Sequence, residues 1–399
     1  GGGGGGGATT AAGSTGQVSS GLPTPDRDAA GYSFQSFYTP SVNIQGATIS
    51  VLQVAPVATQ TGILIADSPF SNVAAAASGT VATFEVKLSF DATSMATVAS
   101  GTYAATGNRD APGAGDLYVR DNNTGTWNLF KDGGSNEMVV AAVSSSDIYT
   151  AEGSIESPMK ISWNGTEIAA VNSSRPTAGI GFKGQFVIGT TFAGANGGAA
   201  SLYTLTGSTA SETKMPVNGI GNGVFQQVTA MTVASVSSGG TVSGEFLFVS
   251  IGEFDITGRA LSGSVLVTND GVVFEQIANY NQDAPTSIAW VDSTIYVGTA
   301  SGALQYRDAA GDMIDEPGLP LLSGIQSLTV SGNDLYIGAT TSIGAEVFVR
   351  LAGSGSTGGG PVVTPPQDYF YDTDIARSWP PSAPPATTVA SPTLRRPGL

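Results

Sequence analysis

Two stretches late in the chain carry one pattern of apolar and polar positions, laid end to end. Residues 284–311 read APTSIAWV, STIYVGTA and GALQYRDAAG, and residues 324–353 read GIQSLTVSG, NDLYIGAT and AEVFVRLAG. In each, an apolar strand is followed by a turn, then by an alternating strand that reaches a glycine, then by a second turn and a strand ending near an arginine. Apolar residues alternating with a period of two mark strands, and the intervening Gly, Ser and Asn clusters mark turns.

The same template can be laid back along the chain. It places strands at 49–56, 62–66 and 80–87; at 94–101, 102–107 and 115–121, with TWNLF following; and at 136–143, 147–151 and 158–163, followed by TEIAAV. Further copies fall at 176–182, 185–190 and 200–206, and at 225–234, 245–251 and 264–269, with VVFEQIA following. The first strands begin at 49, 94, 136, 176, 225, 284 and 324, so that neighbouring copies are 40 to 59 residues apart. Several antiparallel strands repeated near every 40 residues define a β-propeller blade. The expected fold is therefore all-β: a single β-propeller over residues 32–353, with seven four-stranded blades. YSFQSFYTPS, from Tyr32, has no repeat of its own, and the last repeat lacks a fourth strand. Pairing the two closes the ring and removes the open sheet edges that would otherwise template aggregation.

Outside the repeats the pattern stops. Residues 1–31 open on seven glycines and continue through Ala, Thr, Ser and Pro, a linker composition that predicts a flexible arm. Residues 354–399 form a second Gly/Pro-rich arm. It contains an aromatic anchor at 367–381, with Tyr369, Phe370, Tyr371 and Trp379 beside Asp372 and Asp374. That cluster needs a docking surface, either on the propeller itself or on a neighbouring subunit. Helical spacing is interrupted everywhere by Gly and β-branched residues, so almost no helix is expected.

Composition narrows the chemistry. The chain has 15 Lys and Arg against 31 Asp and Glu, for a net charge of −16, which repels nucleic acid and anionic lipid. It has no Cys and no His, so thiolate nucleophiles, disulfides and the commonest general base near neutral pH are all missing. No apolar run is long enough to span a membrane, and no signal peptide is visible at Gly1, although a segment removed upstream leaves secretion open.

Asp270 lies in VTNDGVVFEQ, between two strands of one repeat, with Gly271 and Phe274 following. This resembles the Asp-box turn of sialidase-like propellers, although no residue separates Asp270 from Gly271. RDNNTGTW, from Arg120 to Trp127, is a second partial echo. The resemblance implies a structural hairpin lock, since such turns lie away from the active face in those enzymes. IYVGTASGALQYRD (295–308) is similar to repeats of quinoprotein-like and regulator-type propellers, which again implies the fold and no activity. Arg120, Arg307 and Arg350 look like a carboxylate-binding triad, but all three close the third strand of their repeat, as residues with a repeated structural role would. Asp312, Asp315 and Glu316 in GDMIDEPG, and Glu253 with Asp255, offer oxygen ligands for Ca²⁺, against the plainer account of solvated turn acids. Sequons occur at Asn122, Asn164 and Asn172.

The expectation for function is a non-enzymatic scaffold or adhesion protein, extracellular or on a cell or virion surface. It would bind neighbouring subunits or surface glycans through loops of one propeller face and assemble, as homo- or hetero-oligomer, through its arms. The alternative is a glycan-active hydrolase or lyase working with carboxylate, Tyr and Arg groups. No cofactor beyond Ca²⁺ is implied, nor any nucleic-acid partner or membrane insertion.

Overall fold

In the computed structural model the described residues are 18–27, 32–39, 48–57, 60–68, 71–77, 81–107, 115–133, 136–191, 196–216, 223–238 and 241–352, with side chains left undescribed at 52–61 and 238–243. Among them, the chain folds as an all-β propeller of seven four-stranded antiparallel blades. Blade 1 is Thr48–Val57, Gln60–Ser68, Asn72–Ala76 and Thr83–Lys87; blade 2 is Asp91–Val98, Gly101–Gly107, Asp116–Arg120 and Trp127–Asp132. Blade 3 is Glu137–Ala142, Ile148–Gly153, Pro158–Trp163 and Thr166–Ser173; blade 4 is Arg175–Phe182, Gln185–Thr191, Ser201–Thr206 and Thr209–Lys214. Blade 5 is Val224–Ser238, Thr241–Phe254, Ala260–Thr268 and Glu275–Asn281; blade 6 is Pro285–Val291, Thr294–Thr299, Leu304–Arg307 and Met313–Asp315. Blade 7 takes Gly324–Ser331, Asp334–Thr341 and Gly344–Leu351 from the end of the chain and Ser33–Tyr38 from its beginning.

The expected closure is present. Ser33 stands opposite Leu351 and Tyr38 opposite Val347 in an antiparallel ladder, so the first strand in sequence completes the last blade. Blades 4 and 5 are further linked by a bridge between Thr191 and Gln227 and by the parallel pairing of Gly197–Gly198 with Val224 and Phe225.

Seven apolar clusters fill the seven gaps between successive blades, including the gap between blades 7 and 1. This explains the near-continuous apolar runs, because a sheet covered on both faces needs apolar residues at odd and even positions alike. In blade 1, Ile63 and Ile65 face the blade 7 side while Leu64 and Ala66 face blade 2. The outer strand of blade 4, Thr209–Lys214, is polar and has no buried residue. The glycine in the second strand of each copy serves this packing. A Cβ at Gly338 would lie 2.5 Å from the carbonyl oxygen of Ile49 in blade 1, and one at Gly298 would lie 2.4 Å from Ile325 Cγ2 in blade 7.

The strand assignment needs three corrections. Asn72–Ala76 is the third strand of blade 1, and the stretch beginning at Thr80 is the fourth. Thr209–Lys214 is an unforeseen fourth strand of blade 4. GDMIDEPG is partly strand, because Met313–Asp315 closes blade 6. The flexible-arm reading of residues 1–31 also fails for 18–27. Val18 is buried in the core between blades 5 and 6, and Ser19 donates its amide and its hydroxyl to Glu275, at 2.7 and 2.8 Å. Residues 1–17 and the whole of 354–399, with the anchor residues Tyr369, Phe370, Tyr371 and Trp379, lie outside the described residues.

Candidate functional site

The seven first strands stand around the axis, each packed on the next, with blade 7 packed back on blade 1. Six of them are bulged at one residue: 52, Thr93, Thr177, Thr229, Thr286 and Gln326. Blade 3 keeps a continuous register. A bulge leaves one residue unpaired and turns it out of the ladder. Here it frees a hydroxyl to join two blades. Thr93 Oγ1 lies 3.2 Å from Ala105 O in its own blade and 2.5 Å from Met138 O in the next. Thr177 bridges Gly189 O and Val228 O, at 3.2 and 2.6 Å, and Thr229 reaches Pro285 O at 2.8 Å. Thr286 lies 3.0 Å from Gly298 O and also bonds Ile325 O. In blade 7 the position belongs to Gln326, whose amide oxygen is buried and has no partner. Sequence reasoning missed this ring, although the signal is present in ATSMA, PTAGI, VTAMT and PTSIA, where a threonine precedes a small residue early in each first strand.

Thr93, Thr177, Thr229, Thr286 and Gln326 line a cavity of about 970 Å³ along the propeller axis. Its mouth lies on the face where second strands turn into third strands and where one blade passes to the next. Its walls are mostly Thr, Ser, Gln and small apolar residues, with Phe254, Met231 and Ile288 among the larger ones. Only Arg259 and Asp283 among the lining residues are charged. Each is already held: Arg259 Nε by Asp255 at 3.2 Å, and Asp283 by the amide and hydroxyl of Ser301 at 3.0 and 2.6 Å. The loops around the mouth carry Ile256, Leu321 and Ile343, which are 57%, 95% and 72% exposed.

The residues singled out from sequence fall elsewhere. Arg120 is fully buried between blades 1 and 2, where Glu85 accepts from its Nε and Nη2 at 2.6 and 2.5 Å. Arg350 is fully buried between blades 6 and 7, donating to Asp292 Oδ2 at 2.6 Å and Tyr296 Oη at 2.7 Å, with the ring of Tyr32 below it. Arg307 stands on blade 6 beside Gly311. The three do not converge, and Arg120 and Arg350 act as interblade struts. A further clasp, not foreseen, joins residues 18–27 to blade 6. Arg27 grips Glu316 through two bonds of 2.7 and 2.9 Å, bonds Tyr296 and lies 3.5 Å above the centre of the Tyr306 ring.

The three acids offered for Ca²⁺, Asp312, Asp315 and Glu316, each have their own contacts. Glu316 is spent on Arg27, Asp315 accepts from Gln305 Nε2 at 3.0 Å, and the amide of Asp312 caps Asp308. Glu253 and Asp255 are likewise engaged with Ser262 and with the 257–259 turn. Among the described residues, no group of three or more Asp and Glu could hold a metal ion.

Asp270 builds the turn expected of it. Its Oδ1 accepts from Val272 N and Val273 N at 2.8 and 2.9 Å, Gly271 has φ +76°, and Phe274 is buried behind. Partial burial pushes this carboxyl up, but the amides of Val273 and Val272 and the Thr268 hydroxyl outweigh it and hold it below the usual aspartate range. Asp121 Oδ1 caps Asn123 N at 2.8 Å in the same manner, with Gly125 at φ +72°. Burial raises the Asp67 carboxyl well above its ordinary value, and its Oδ1 accepts from Asn72 N, which fixes the chain reversal within blade 1.

No protein-family model matches the chain, and no curated protein does. Among solved structures it is similar to the computationally designed Ika8 protein, at 15% identity and TM-score 0.45, over 78% of this chain and 99% of that one. It is also similar to BamB from Moraxella catarrhalis, at 15% identity and TM-score 0.44, over 80% and 98%.

Proposed function

We propose that this propeller is a non-enzymatic scaffold or adhesion module, displayed on a cell or virion surface, that binds partners or glycans through one propeller face. What carries the reading is the axial cavity. It is walled mostly by hydroxyl, amide and small apolar groups, and among its described lining residues two are charged, Arg259, which pairs with Asp255, and Asp283, which accepts from Ser301. Such a wall binds by hydrogen bonding and shape, whereas acid–base hydrolysis of a glycan needs two free carboxyl groups facing one reacting bond. The turns at Asp270 and Asp121 support a kinship with sialidase-like turns at the level of hairpin construction, and the IYVGT segment, with its buried second strand, supports one with quinoprotein-like repeats. Neither brings an activity with it. The aromatic anchor, Tyr369 to Trp379, supplies attachment to neighbouring subunits or to the supporting surface.

The test compares the full chain with a version ended after Gly360. Both are expected to fold, and the shorter one is expected to lose incorporation into the native particle or envelope. Equal incorporation of both removes the assembly role. Cleavage of fluorogenic glycosides above a mock preparation turns the module into an enzyme and overturns the reading.

A further inference from the structure

The mouth of the axial cavity leaves apolar surface uncovered. Ile256, between the second and third strands of blade 5, Leu321, in the passage from blade 6 to blade 7, and Ile343, in the turn before the third strand of blade 7, are 57%, 95% and 72% exposed. Large aliphatic side chains on loops of neighbouring blades around one opening mark a docking surface. The same opening carries a charge of each sign. Asp255 takes only the Nε of Arg259, whose side chain is 74% exposed and whose Nη atoms make no hydrogen bond to the described residues. Asp283 accepts only from neutral donors, the amide of Ala284 and the amide and hydroxyl of Ser301. Behind the rim, Phe254, Met231 and Ile288 line the cavity among hydroxyls and amides. Such a wall suits rings with an apolar body and a polar tip, as Tyr and Trp have.

One segment of the chain has the matching composition. The anchor at 367–381 combines Tyr369, Phe370, Tyr371 and Trp379 with Asp372, Asp374 and Arg377, which answer the apolar rim, Arg259 and Asp283 in turn. Geometry decides whose mouth it meets. Gly344 begins its strand at the mouth, next to Ile343, and Leu351 ends that strand at the opposite face, about 25 Å away at the usual strand rise. Sixteen residues, 353–368, separate Ala352 from Tyr369 and span at most about 60 Å when drawn straight. To regain its own mouth the chain must round the outer strand of blade 7, climb that height and cross four strands to the axis, a path of about 60 Å at ordinary strand spacings. A linker stretched to its limit brings almost no effective concentration to its site. A second copy, with its mouth set against the face where Leu351 ends, puts the opening beside the point from which the anchor departs. We infer that the anchor of one copy docks in the axial mouth of the next, in a head-to-tail contact that joins two different surfaces and so leaves the stack open-ended.

This inference rests on the assembly side of the proposed function, and it can fail separately. The experiment is sedimentation velocity on the full chain across a wide concentration range, where the mean sedimentation coefficient is expected to rise with concentration past that of a dimer. Two double variants carry the test. Leu321→Asp with Ile343→Asp alters the mouth at exposed positions, and Tyr371→Ala with Trp379→Ala alters the anchor. Each is expected to keep the melting temperature of the parent and to weaken association at least about tenfold, the effect of losing an apolar contact at the centre of an interface. The mouth variant still has its anchor and the anchor variant still has its mouth. Mixed, the two should form one-to-one dimers that grow no further, which a contact between like surfaces would not produce. A full chain that stays monomeric at every concentration, association that survives either double variant, or a mixture that forms no dimers would each overturn the inference. If the full chain is monomeric while the version ended after Gly360 still loses incorporation, the inference falls and the attachment reading stands. If copies associate through the mouth and the shorter chain incorporates equally well, the reverse holds.

Discussion

Glu85, on the outer strand of blade 1, holds Arg120 of blade 2 from the side, Oε2 to Nε at 2.6 Å and Oε1 to Nη2 at 2.5 Å. Arg120 has no exposed surface, and Trp127 Nε1 donates to the same carboxylate at 2.8 Å. Removing one charge leaves the other buried and unpaired. Glu85→Gln or Arg120→Met alone should therefore cost about 3–5 kcal/mol of unfolding free energy in urea, and the double change Glu85→Leu with Arg120→Met should recover most of it. Additive losses in that cycle would show that the two side chains act independently.

Ring closure rests on the ladder between Ser33–Tyr38 and Gly344–Leu351. Deleting residues 32–41 opens blade 7 and exposes Phe37 and Tyr38 partners in the core between blades 7 and 1. The melting temperature should fall sharply and the unfolding transition broaden. An unchanged melting temperature would show that closure does not depend on this strand.

The threonine at 286 joins blade 6 to blade 7 through one hydroxyl. Thr286→Val keeps the shape and removes the bridge, leaving the carbonyl of Ile325 short of a donor. A loss of about 1–2 kcal/mol in urea unfolding is expected, with an unchanged far-ultraviolet spectrum. Stability equal to that of the parent would mean that the bulge holds its place without the hydroxyl.

Asp255 caps the turn at 255–259 next to the cavity mouth. The Thr257 hydroxyl, followed by the amides of Arg259 and Thr257, lowers its carboxyl to about 2. The folded value lies below the unfolded one of about 3.9, so the turn's contribution is present in full above about pH 4 and is lost as pH falls through about 2. Asp255→Asn should flatten that part of the stability–pH curve, followed by thermal melts across the window. Identical curves for parent and variant would remove the cap from the account.

The blades were legible because second strands such as TIYVGT and DLYIGAT are apolar, regular and buried on both faces, which ties sequence period directly to structure. Each first strand was placed within three residues of its observed start, from Thr48 to Gly324. The missed third strand NVAAA of blade 1 is mostly alanine, which carries little strand propensity, and it is held by pairing with 63–66 on one side and 83–87 on the other. TASETK is polar because nothing covers the outer edge of blade 4. The docking of residues 18–27 rests on isolated contacts, Val18, Ser19 and Arg27, in a segment whose composition is that of a linker. The cavity was invisible because its lining is assembled from residues scattered over six blades, none forming a motif alone.

The two ends of the propeller leave from the same end of one ladder, where Ser33 faces Leu351. If the arms are fastened to two different bodies, tension between them peels that ladder open bond by bond, because an antiparallel pair loaded at one end unzips where a pair loaded at opposite ends would shear. The clasp of Ser19 on Glu275 and Arg27 on Glu316 sits upstream of the strand. A pull from the N-terminal side must release those ion-pair and hydrogen-bond contacts before load reaches the Ser33–Tyr38 strand. On that side the segment is expected to give way before the closing ladder does.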